Sequence, residues 1–284
     1  MSVQATPAPS AATATARPVG FGALVAAEVL KLRTTRLWWG LLLIGVGLVL
    51  LFTALFAAIA GQQGGGDGGP QVSPTDPASL RSIYGTGFTS GYFIPLVLGL
   101  IGITGEYRHQ TITPTLLGIP RRTRMIVAKI VAYFGMGVAY GVALALTAVA
   151  VGAGVLAIRG YDVGLGAEGV LRTLLLGVLG SGVWAVFGVG LGTLLRNQVV
   201  AIVVVLIFVF IVEPLSIFAL NFADWGGRIA KFFPGQASNA IVAGTDGGQG
   251  LEILTWWGGA LVLAAYGLVA AALGSWLTTR RDVT

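Results

Sequence analysis

Residues 37–60 read LWWGLLLIGVGLVLLFTALFAAIA and contain no charged side chain. An α-helix rises 1.5 Å per residue, so roughly 20 apolar residues cross a hydrocarbon core about 30 Å thick, and this stretch is long enough. The glycine-rich GQQGGGDGGP at 61–70 closes the run and breaks the helix. Five further apolar runs follow, at about 82–104, 125–156, 170–195, 199–220 and 253–277. The predicted fold is therefore an all-α integral membrane protein with six transmembrane helices. The third run exceeds a perpendicular crossing, which implies tilt or a protruding end. The fifth contains VVAIVVVLIFVFIV, a β-branched block that would pass for a buried strand in water, but its length favours a membrane helix. Continuous apolarity also excludes a membrane β-barrel, whose strands alternate polar and apolar residues in pieces of about ten.

Composition agrees. Of the 284 residues, 55% are hydrophobic and 10% charged, and the mean hydropathy is +0.86. A soluble domain carries roughly a quarter charged residues, so this chain has too little polar surface to face water on all sides. Cysteine is absent, which removes disulfides, thiolate metal sites and cysteine nucleophiles. The single histidine, His109, rules out a His-pair zinc site and reads as a solvated loop residue beside a basic cluster.

Orientation follows from Lys and Arg, which hold short loops on the cytoplasmic side. Arg17, Lys31, Arg33 and Arg36 precede the first run; Arg108, Arg121, Arg122, Arg124 and Lys129 occupy the second connection; Arg196 lies in the fourth and Arg280 and Arg281 in the tail. The opposite side has Arg81, Arg159, Arg172, Arg228 and Lys231, with most of the acids: Asp67, Asp76, Asp162, Glu168, Asp224, Asp246 and Glu252. Both termini are thus predicted to be cytoplasmic. The net charge of +6 and pI near 10.0 read as anchoring against anionic membrane lipid, with no nucleic acid as a partner.

Three regions divide the chain. Residues 1–19, MSVQATPAPSAATATARPV, lack an apolar core, so they are no secretory signal and are predicted to be disordered. Residues 20–36 read as an interfacial helix with Phe21, Val25, Val29 and Leu32 on one side, Glu28 intruding there, and Lys31, Arg33 and Arg36 away from it. Ending in Trp38 and Trp39, it is suited to lie at headgroup level as an anchor; the plainer alternative is a simple continuation of the first span. Residues 37–284 form the six-span domain.

The most informative stretch is the second connection, GEYRHQTITPTLLGIPRRTRMIVAK at 105–129. Thr113 and Pro114 fit an N-cap and first helical position, and Gly118 with Pro120 ends the turn. The result is a short cytoplasmic helix presenting Leu116, Leu117 and Ile119 as an apolar knob for a partner. A purely topological anchor would explain the arginines but not the capped turn.

This segment resembles the one that follows the second span in permease subunits of the type-2 family of ABC transporters. The matching positions are Glu106, Tyr107, Arg108, Thr111, Thr113, Leu117, Pro120, Arg121 and Lys129. ALVAAEVLKLRTTR is similar to the family's elbow helix, and Glu213-Pro214 with FFPGQASNAIV to the outer end of its fifth span and the following loop. The resemblance implies an exporter subunit of the bacterial plasma (inner) membrane that pairs with a second permease subunit, as homodimer or heterodimer. It also implies separate ABC ATPase subunits, which carry ATP and Mg, and a coupling helix after the second span. No cofactor is expected on this chain: none of Lys31, Lys129 and Lys231 lies in a glycine-rich Gly-Lys-Ser/Thr loop.

Glu213 is the one acid that this reading puts inside a span. It is a candidate for substrate binding or proton transfer, or else, with Pro214, the cap that marks the span's outer end. Gly182, Gly188, Gly190 and Gly192 in the fourth run read as packing positions. An ion-coupled secondary transporter using Glu213 is the main competing function, though no internal repeat supports it. A membrane-embedded enzyme lacks a clustered nucleophile, base or metal site.

Overall fold

The computed structural model describes residues 20–61, 73–108, 122–195, 197–223, 225–243 and 254–281. The amphipathic lead-in is α1 (Phe21–Thr34), joined by a short bend to α2 (Leu37–Ile59). Next come α3 (Pro77–Thr89), α4 (Phe93–Arg108), α5 (Arg122–Ile158) and α6 (Val170–Leu194). The fifth crossing is composite: α7 (Gln198–Ile207), a π-helical turn (Phe208–Val212) and α8 (Glu213–Leu220). Two short helices, α9 (Gly226–Ala230) and α10 (Pro234–Ala243), precede the last crossing, α11 (Trp256–Arg281).

Among the described residues, six helical stretches are long and apolar enough to cross a membrane. The second starts at Pro77, earlier than predicted, and is two helices in line. Pro95 explains the break: it has no N–H, and its ring crowds the carbonyl of Gly91 four residues back, so that carbonyl accepts from Ile94 instead at 3.0 Å. The third crossing, α5, has 37 residues and is longer than a bilayer requires.

The second and fourth crossings form the centre, with 61% and 56% of their apolar windows buried against 22% for the first and the fifth. Glycines make that centre possible. A Cβ at Gly188 on α6 would strike the Leu96 carbonyl of α4, and one at Gly99 on α4 would strike the Ala185 carbonyl of α6, so the two backbones touch. Around this seam pack Phe88, Leu100, Trp184, Phe187, Ile241 and Leu263, with the Trp184 indole donating to Ser238 Oγ of α10 at 2.9 Å. Gly190 abuts Gly267 of α11 and Gly192 abuts Leu100, as packing positions do.

The outer helices show what solvent they are built for. Leu43, Ile44, Leu50, Leu51 and Leu55 of α2 are exposed, as are Val199, Val200, Val203, Val204 and Ile207 of α7. Aliphatic walls of this extent suit hydrocarbon. At the end of α2 remote from α1, Arg159 donates to the carbonyls of Ala57 (2.9 Å) and Ala60, which have no partner within their own helix, and its guanidinium lies 5.2 Å from the Tyr161 ring.

Candidate functional site

The site begins with an apparent misfit. Helix α1 buries Leu24, Glu28 and Leu32, spaced four residues apart along one face. Phe21 stays exposed, so the buried stripe is not the predicted Phe21–Val25–Val29–Leu32 side, and Glu28 sits in the middle of it. A carboxylate there must find cations, since an unpaired buried charge costs several kcal/mol.

It finds two. Glu28 Oε2 accepts from Lys129 Nζ at 2.5 Å and Glu28 Oε1 from Lys31 Nζ at 2.6 Å. Both ammonium groups also reach Glu106 Oε1, each at 2.9 Å. The four side chains close a neutral ring in which every charge meets two of opposite sign. It joins α1 (Glu28, Lys31), the last turn of α4 (Glu106) and the second turn of α5 (Lys129). Three members are deeply buried; Lys31, with 43% of its side chain exposed, forms the rim. Lys129 also lies 5.6 Å from the Tyr133 ring, one turn along α5, and Tyr133 packs so tightly on α4 that a Cβ at Gly102 would overlap its hydroxyl.

Mutual pairing sets the titration of the groups on α1. Burial opposes the charge of Glu28, but Lys129 and Lys31 together outweigh it and hold the carboxyl below the usual carboxylate range. Burial likewise opposes the charge of Lys31, yet its bonds to Glu28 and Glu106 hold its ammonium above the usual lysine range.

Several predicted residues are therefore placed differently from their sequence reading. Lys31, read as an anchor against anionic lipid, is tied to two carboxylates, whereas Arg33, Arg36 and Trp39 are exposed and Trp38 donates to the Arg33 carbonyl at 3.2 Å. Glu213 is not the lone acid in a crossing helix, because Glu106 lies within the second crossing. Tyr107 and Arg108 line an open cleft of about 700 Å³ with Asn197, Gln198 and Val199 at the start of α7. Thr111, Thr113, Leu116, Leu117, Pro120 and Arg121, with His109, lie outside the described residues. Sequence reasoning missed the pairing roles of Glu28 and Lys129. The available signal was an acid in phase with Leu24 and Leu32, which demands a buried cation from another element.

At the far end of the bundle Glu213 has a different environment. It follows the π-helical turn, donates its own N–H to the Phe208 carbonyl, and precedes Pro214. The span does not end there but continues through α8 to Leu220. Nor does Glu213 cap its own helix: its Oε1 accepts from Gly235 N–H at 2.5 Å in the first turn of α10, while the buried Oε2 has no partner. The carboxyl thus caps a neighbouring helix, where free N–H groups and the dipole favour an acceptor.

Residues 24–212 match the family model described as ABC-2 family transporter protein. Among curated proteins, none matches the chain. The matched segment takes in α1 from Leu24 onward, the whole charge ring, the first four crossings and the fifth as far as Val212, and with this six-helix membrane body the chain belongs to the ABC-2 family of transporter proteins, as a permease component.

Proposed function

We infer that this chain is the membrane subunit of an ATP-driven exporter of the bacterial plasma membrane, with both termini cytoplasmic. Separate ABC ATPase subunits bind ATP and Mg, dock on the connection after the second crossing, and drive a pathway formed with a second permease subunit, identical or not. Family membership and the one-sided distribution of Lys and Arg support this orientation and division of labour. The observation that carries the coupling role is the ring itself. Glu106 and Lys129 flank residues 109–121 on either side and are bonded to each other and to α1, so the connection leaves from a fixed base.

Leu116 and Leu117 supply the apolar contact with the ATPase, while Glu106, Tyr107, Arg108, Thr111, Thr113, Pro120 and Arg121 shape and hold the segment. Leu116→Glu and Leu117→Glu abolish co-purification of the ATPase subunit and leave membrane insertion unchanged. Normal ATPase binding by both variants overturns the assignment. The rival, ion-coupled reading would rest on the unpartnered Oε2 of Glu213. The other oxygen of that carboxyl caps α10, which supports a positional role.

A further inference from the structure

Helix α1 has the sequence of a lipid-facing anchor but the contacts of a machine part. Its buried stripe, Leu24, Glu28 and Leu32, lies on the bundle, and Glu28 and Lys31 supply half of the ring. Only Thr35 and Arg36 separate α1 from α2, and this bend is braced: Thr35 Oγ1 donates to the Leu32 carbonyl at 2.8 Å, and the Tyr140 hydroxyl of α5 donates to the Trp38 carbonyl. Hydrogen-bonded and packed contacts therefore run unbroken from the two flanks of residues 109–121, through Glu106 and Lys129, into α1 and on to the start of the first crossing.

The two cations of the ring are not equivalent. Lys31 can exchange its carboxylates for water because it is at the rim. Lys129 is 3% exposed, and releasing it would strand a buried cation and leave two buried anions sharing Lys31. On displacement the ring yields at Lys31 and holds at Lys129.

We propose that Lys129, through Glu28, is a positioning residue that makes α1 move with the root of the second connection, so that force applied there is delivered to the first crossing. This rests on the coupling role inferred above. The elbow helix then acts as a lever arm clamped to the third crossing, and its negative member, Glu28, matters more than its basic ones.

The naturally cysteine-free chain allows a direct test. A nitroxide is attached at Gly40→Cys, near the start of α2, where an added Cβ meets no heavy atom within 4 Å. Spectra of the purified complex with its ATPase are compared without nucleotide and with ATP plus vanadate. With the native ring the spectrum changes on trapping. Because Lys129→Met alone leaves two buried carboxylates sharing Lys31 and threatens folding, the decisive variant is Glu28→Gln/Lys129→Met, which leaves Glu106 native and paired with Lys31 and keeps the side-chain lengths. It retains the bound ATPase and ATP hydrolysis but loses the nucleotide-dependent change at position 40. A full spectral change in the double variant, or none with the native ring, overturns the inference. Failure of the native chain to bind any ATPase would instead sink the coupling role on which it rests.

Discussion

Glu106 and Glu213 are both acids within crossing helices, 6% and 3% exposed, yet the fold satisfies them by different means. Glu106 meets two ammonium groups from two other helices, whereas Glu213 meets a backbone amide at the start of one helix and has an oxygen left over. Ion pairing fixes three elements against one another, because each charge is costly to bury without all of its partners. Helix capping fixes two, at modest strength, and tolerates a neutral acceptor. The end with paired charges is thus built to move as one block. The end with the cap is built to keep a short helix, α10, in place.

Substitutions can break or sharpen that contrast. The largest effect is expected at Lys129: Lys129→Met leaves two buried carboxylates to one ammonium, Lys31, and lowers stability by about 3–5 kcal/mol, read as a drop in the thermal midpoint of the detergent-solubilised protein. A loss below about 1 kcal/mol would mean that water enters the ring and that the two acids are less different than their burial implies. Next comes Glu213→Gln, whose amide oxygen still accepts from Gly235; it should cost about 1 kcal/mol and leave transport intact. Normal stability with abolished transport would instead make Glu213 a working group and erase the contrast. The smallest effect is expected at the rim, where Lys31→Met costs under about 1 kcal/mol and the difference shrinks with added salt. An effect as large as that of Lys129→Met would show that the rim is dry.

The crossings were legible because apolar length is a one-dimensional property: α2 and α6 begin and end close to where hydropathy puts them. Hydropathy does not report hydrogen bonding, so the break between α3 and α4 before Pro95 and the π-helical turn before Pro214 were invisible to it, although each proline marks the place. The site was half legible. Glu106 and Lys129 stood out through family resemblance, and their meeting needs the return of α5 past α4 across 23 residues. In the sequence Glu28 shows only as a flaw in an amphipathic pattern, because the buried one of its two cations, Lys129, lies 101 residues away. The helix capped by Glu213 could not be named from local sequence either, since a cap supplied from another span leaves no pattern near the N-terminus it serves.

The guanidinium of Arg159 gives the first crossing a hinge pin. It grips the carbonyls of Ala57 and Ala60 at the tip of a 23-residue rod, roughly 34 Å long at 1.5 Å per residue. A rod pinned at its tip sweeps little there and most at its opposite extremity, Leu37. Under the lever action proposed above, side chains along it experience a graded stroke, and a probe walked from Gly40 to Ala57 would trace that gradient as a ruler traces an arc.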